Sequence, residues 1–208
     1  MGAKTWMVAY SEAAADKVLK SQPQLDRIRA RELATQLFPM ARIEPDEDGS
    51  LMFTCPDNAH IYIGCFPGLS IVAAKEFAID NPSQISRAFL DVAKGRTVYL
   101  HAMHSVVDWF AFAIWEKGSL VRSLSLSPDS GIIEDIGKRL AFEEPFWAGK
   151  HPVEGDEYPL PFHPLDLGEE ALFTLFGYRL EGPIDDVQIE PDDIPLCGFK
   201  RKPWWKPW

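Results

Sequence analysis

The feature that most constrains this chain is residues 108–116, which read as a β-strand apolar on both sides. Phe110, Phe112 and Ile114 fall on one face and Trp109, Ala111, Ala113 and Trp115 on the other. Side chains alternate along a strand, so such a ribbon has no face to give to water and needs structure over each side. The flanking segments supply its sheet. Residues 97–103 and 119–127 read as further strands, and Lys117-Gly118 makes a two-residue hairpin turn between the second and third. The last strand sets Leu120, Leu124 and Leu126 against Ser123, Ser125 and Ser127, which predicts one core side and one polar side.

Other elements follow from period and punctuation. Residues 4–10 alternate Trp6, Val8 and Tyr10 as a half-buried strand, and Ser11 is placed to cap a helix carrying Ala14, Ala15, Val18 and Leu19. Pro23 and Pro39 bracket a second helix, with Ala30, Leu33, Ala34 and Leu37 as its stripe and Ile28 off it. Residues 45–49 read as a solvated acidic turn. Strands 60–66 and 69–74 flank Pro67-Gly68. Asn81 and Pro82 open a helix with Ile85, Ala88, Phe89 and Val92 inward, and Gly95 stops it. Aromatic-rich loops fill 142–164. A final helix is predicted from Asp166, boxed by Glu169 and closed at Gly177.

Strands with segregated helices give an α+β fold. The expected architecture is a single domain over residues 1–180, a mainly antiparallel sheet with central strand 108–116 and helices packed on it. Residues 181–208 form an irregular C-terminal tail, acidic from Glu181 to Asp193 and then basic and tryptophan-rich. Five prolines there (Pro183, Pro191, Pro195, Pro203 and Pro207) exclude a regular helix. With 208 residues, roughly 70% of the unfolded surface can be buried without disulfide or metal staples.

Charge and cysteines narrow the class of function. Against 31 acidic residues stand 21 Lys and Arg, a formal charge of −10, which argues against a general nucleic-acid binder. The N-terminal segment lacks the apolar stretch of a signal peptide, and no run is long enough to span a bilayer. Cys55, Cys65 and Cys197, an odd number without regular spacing, read as reduced thiols of a cytoplasmic protein.

Four groups of residues could carry chemistry. His101, His104 and Asp108 are ligand types of zinc and non-haem iron, and a histidine among them could act as a general base. Continuous strand geometry would put the two imidazoles on opposite faces, so the site requires a bend after Met103. The Cys55, His60, Cys65 spacing departs from that of structural zinc sites. Ser127 and Asp129, with Ser130, lie at a strand end where a hydrolytic residue could stand; a Pro-Asp-Ser-Gly turn accounts for the same pattern. Trp147, Trp204, Trp205 and Trp208 are candidate partner-binding residues, able to dock a protein groove or pack back on the chain. No phosphate-cradling or dinucleotide motif occurs, and no cofactor is expected.

Several stretches together resemble an uncharacterised bacterial family, a domain of unknown function. They are Gly2-Ala3-Lys4-Thr5-Trp6, Gly64-Cys65-Phe66-Pro67-Gly68, the block from Gly95 through His101, His104 and Trp109 to Gly131, and the segments 146–149 and 159–164. The similarity covers roughly residues 1–180 and implies a single domain without supplying an activity. The expected function is a binding or interaction module for a protein or small ligand, working through the aromatic loops and tail. The partner would be basic or a second copy of the chain. The alternative is a hydrolase or metal-dependent enzyme centred on His101, His104 and Asp108.

Overall fold

The computed structural model describes residues 2–153, 158–182 and 188–203. The doubly apolar strand is β7 (Trp109–Glu116), held in a meander between β6 (Thr97–His104) and β8 (Ser119–Ser127), with β9 (Gly131–Gly137) beyond. Lys117 and Gly118 take φ of 50° and 81°, the left-handed pair that a tight hairpin requires. On its other side β6 pairs with β1 (Lys4–Ser11), which pairs with β5 (Leu69–Ala73) of the hairpin begun by β4 (His60–Phe66). The sheet runs on through β10 (Pro195–Pro203) to the edge strand β2 (Ala41–Pro45), and the short β3 (Gly49–Ser50) also pairs β10. These pairings are antiparallel.

Helices cover both faces, as β7 demands. On one side α2 (Arg27–Leu37) and α3 (Arg87–Asp91) lie over Trp6, Val8, Tyr10, Trp109 and Trp115. On the other, α1 (Ala15–Lys20), α4 (Glu144–Trp147) and α5 (Pro164–Phe176) lie over Met7, Ala9, Phe110, Phe112 and Ile114. The α2 stripe of Ala30, Leu33, Ala34 and Leu37 is buried, and Ile28 stands 74% exposed. No helix of the described residues is long and apolar enough to cross a membrane.

Several elements depart from their local patterns. The strand β1 is buried on both sides, because Met7 and Ala9 are as apolar as the residues they alternate with. Ser11 belongs to that strand, and α1 starts after Ala14 without a side-chain cap. The helix predicted from Asn81 is a 3-10 turn, Pro82–Gln84, followed by the short α3 with Ala88 outward. Helix α5 begins two residues early, capped by His163.

The polar side of β8 is dry. Ser123, Ser125 and Ser127 are all buried. The Trp109 indole N–H donates to Ser125 Oγ at 3.1 Å, and Ser123 Oγ donates to Glu134, whose carboxylate also accepts from Ser83 N (3.0 Å) and Ser83 Oγ (2.5 Å). A register shift between Ile114 and Trp115 moves Leu120 to the Trp115 side, away from Leu124 and Leu126.

The largest correction concerns the C-terminus. Residues 195–203, expected as irregular tail, form β10 inside the sheet between β2 and β4. The acidic turn is docked on it and on α2: Asp46 pairs with Lys200 at 2.9 Å and Asp46 N donates to the Gly198 carbonyl, while Asp48 pairs with Arg27 of α2 at 2.5 Å. Trp204, Trp205 and Trp208 lie outside the described residues.

Candidate ligand-binding site

Strand β6 runs unbroken to His104, so its histidines face opposite ways. His101 points toward α5 and is fully buried; its Nε2–H donates to the Gly168 carbonyl at 3.0 Å. Burial holds its pKa down at about 4, so the ring is neutral. His104 lies on the other face, stacked on Trp6 with ring centroids 6.1 Å apart, and accepts from Val106 N. Partial burial, with Lys4 and Lys75 nearby, also lowers its pKa. The bend that a shared ion requires is absent, and the two imidazoles do not converge. Asp108 sits in the following turn and meets a different histidine: its Oδ2 is 3.6 Å from His163 Nε2.

The remaining candidates are separate as well. His60 Nδ1 lies 2.6 Å from Asp57 and its Nε2 3.5 Å from Asp46, while Cys65 is buried under α2. Among the described residues no three His, Cys, Asp or Glu side chains gather as metal ligands. Ser127 Oγ accepts from Ser130 N at 3.2 Å inside a turn, and Asp129 is exposed. Trp147 packs edge-on against Phe162, with the Arg139 guanidinium 4.0 Å over its ring.

What the fold does assemble is a cleft of about 640 Å³ at the start of α5. Its lining includes an aromatic stack: Phe146 of α4 lies on His151 with centroids 4.1 Å apart and planes at 14°. The lining also carries Asp166, Glu169 and Glu170 of α5, and Glu181. The helix presents these carboxylates because its apolar residues Leu167, Ala171 and Leu172 are consumed by the core. Arg179 is the cation of the lining, and Glu170 already holds it at 2.7 Å.

Glu169 is the unusual member. Its carboxylate accepts from Leu180 N at 2.8 Å and Glu181 N at 3.2 Å, securing the chain that returns past the helix from Gly177. Burial nonetheless raises its pKa to about 7, against which those two hydrogen bonds and Arg179 act. His163 is oriented at both nitrogens. Leu165 N donates to Nδ1 at 3.3 Å, and Nε2 faces Asp108, so the Nε2–H tautomer fits. A general base needs a lone pair open to substrate, and this ring has none to spare. The arrangement suits holding a ligand.

Sequence reasoning missed Glu169 and His151 as site residues. Glu169 was legible only as a helix-start signal; its burial depends on the returning chain. His163 was within reach of the sequence, since it directly precedes a proline at a helix start.

Comparison with known proteins returns one family. Residues 5–199 match the model of a family of unknown function (DUF6928). No curated protein and no solved structure matches the chain.

Proposed function

We propose that this chain, which belongs to the DUF6928 family, is a bacterial cytoplasmic binding module whose cleft at the start of α5 receives a cationic group. The group is an amine or guanidinium, carried by a small ligand or by the side chain of a protein partner. One observation carries the reading: four carboxylates line a cleft of about 640 Å³ together with the Phe146–His151 stack, and the lining's arginine is already paired with one of them, Glu170. That volume is in the range of small-molecule sites, and an aromatic ring beside carboxylates favours an organic cation over a bare ion. The formal charge of −10 supports steering of a basic partner toward the molecule. Three free cysteines fit a reducing compartment.

The test is calorimetric titration with agmatine and with arginine amide, using succinate as the anionic control. Both cations bind, succinate does not, and affinity tightens between pH 6 and 8 as Glu169 ionises. The double variant Asp166→Asn/Glu169→Gln weakens binding about tenfold or more. Absence of binding at millimolar agmatine, or equal binding by the double variant, overturns the proposal.

A further inference from the structure

A second cleft lies away from α5, where the chain entering α2 crosses the β4–β5 turn. Its smaller part, about 230 Å³, is lined by Arg29, Lys94, Arg96, Ser70 and Cys65, with Glu12 and Glu32. It opens into a larger part of about 660 Å³ that shares Arg29, Arg96, Ser70 and Cys65 and adds Leu25, Ile28, Phe66 and Leu69. The smaller part sets three cations against two carboxylates, and the larger part carries apolar side chains.

Among the described residues, six of the ten arginines in the chain hold a carboxylate: Arg27, Arg42, Arg87, Arg122, Arg179 and Arg201. Arg29, Lys94 and Arg96 have no carboxylate within ion-pair distance among the described residues, although the chain holds ten more acids than bases. Glu12 and Glu32 also line the cleft, exposed as Arg29 and Lys94 are, and Asp26 is occupied as the α2 cap, accepting from Arg29 N. In so acidic a molecule, three cations left unpaired around one hollow are not short of candidates to pair with.

Arg96 is also fixed in place. Its Nε donates to the Ala93 carbonyl at 3.0 Å and its Nη2 to the Val92 carbonyl at 3.2 Å, and its plane covers the Tyr10 ring at 5.3 Å. Its Nη1 is directed to Ser70 Oγ at 3.4 Å, a long contact that leaves this edge for a better acceptor. A guanidinium held by carbonyls presents donors without neutralising its charge, which suits an incoming oxyanion. Ile28, the one apolar residue off the α2 stripe, stands exposed in the lining of the larger part.

We infer that this cleft binds an organic phosphate monoester, with the phosphoryl group on Arg29, Lys94, Arg96 and Ser70 and the organic body along Leu25, Ile28 and Phe66. The inference rests on cations and a cavity outside the α5 cleft, so its failure leaves the cation-binding proposal untouched.

Calorimetry at low salt with phenyl phosphate, inorganic phosphate and benzoate tests it. Phenyl phosphate binds one per chain and at least tenfold tighter than inorganic phosphate, and benzoate binds weakest. Arg96→Gln and Arg29→Gln each reduce phenyl phosphate affinity about tenfold; Ile28→Ser reduces it while sparing inorganic phosphate. If Arg96→Gln fails to fold, Arg29→Gln, on the exposed face of α2, decides alone. No binding of either phosphate, or binding unchanged in Arg29→Gln, overturns the site. Equal affinity for the two phosphates overturns the assignment of the organic body.

Discussion

His101 and Glu169 are two buried titratable groups on either side of the same contact, α5 against the sheet, and their pH effects oppose each other. His101 is held at about 4, below its ordinary 6.5, because burial disfavours the charged ring. Its contribution to stability is complete above pH 6.5 and is lost as pH falls toward 4. Glu169 is raised from 4.5 to about 7, so its contribution is complete below pH 4.5 and is lost as pH rises through 7. Each displacement is worth about 3 kcal/mol, and over roughly pH 4.5–6.5 the two slopes cancel. Urea unfolding from pH 4 to 8 should therefore show a plateau for the native chain. Glu169→Gln exposes the histidine slope, stability rising from pH 4 to 6.5. His101→Gln exposes the opposite slope, stability falling from pH 4.5 to 7. Parallel profiles for both variants and the native chain would contradict the assignment.

Among elements, the β8–β9 pair and the segment before α4 are joined by one arginine. Arg122 is fully buried; it donates from Nε and Nη2 to Glu143 at 2.9 and 2.6 Å and from Nη1 to Asp135 at 2.5 Å. Glu143 in turn accepts from Leu140 N at 2.8 Å, fixing the approach to α4. Removing one partner of a buried pair leaves the other charge unsolvated, at a cost of about 3–5 kcal/mol, whereas replacing both can be nearly neutral. Arg122→Met should cost that amount in chemical denaturation. The double variant Arg122→Met/Glu143→Leu should recover part of the loss, although Asp135 keeps its charge. A double variant as unstable as the sum of its singles would mean the two residues act independently.

At the scale of the whole molecule, segments from both ends of the sequence, β1 and β10, are interior strands of one sheet. Leu196, Cys197 and Phe199 of β10 are buried, the first in the α5 layer and the other two in the α2 layer. Gly198 lets the acidic turn pass close by, since a Cβ there would run into the Glu47 carbonyl. Gly198→Ala should destabilise the fold by about 2 kcal/mol or more, because backbone has to move. A chain ending at residue 194 leaves β2 and β4 without the strand between them. It should lose its cooperative thermal transition by circular dichroism; a sharp melt at the native temperature would make β10 dispensable.

The order of the meander, its turn at Lys117-Gly118 and the need for a layer on each face of β7 were written in local pattern. A two-residue period with large apolar groups on both sides has one physical solution. The stripe of α2 and the Gly177 stop of α5 were legible for the same reason, being matters of spacing within one element. Other features depended on distant segments. The serines of β8 look polar and are dry because distant groups meet them, Glu134 with Ser83 at Ser123 and the Trp109 indole at Ser125. Residues 195–203 look like tail because prolines and charge say nothing about open edges at β2 and β4. His101 and His104, three apart on one strand, were parted by a sheet that stayed straight, and Asp108 met His163 instead. Sequence period decides which way a side chain points; only the packed chain decides what it meets there, since burial and pairing are set by segments far away in sequence.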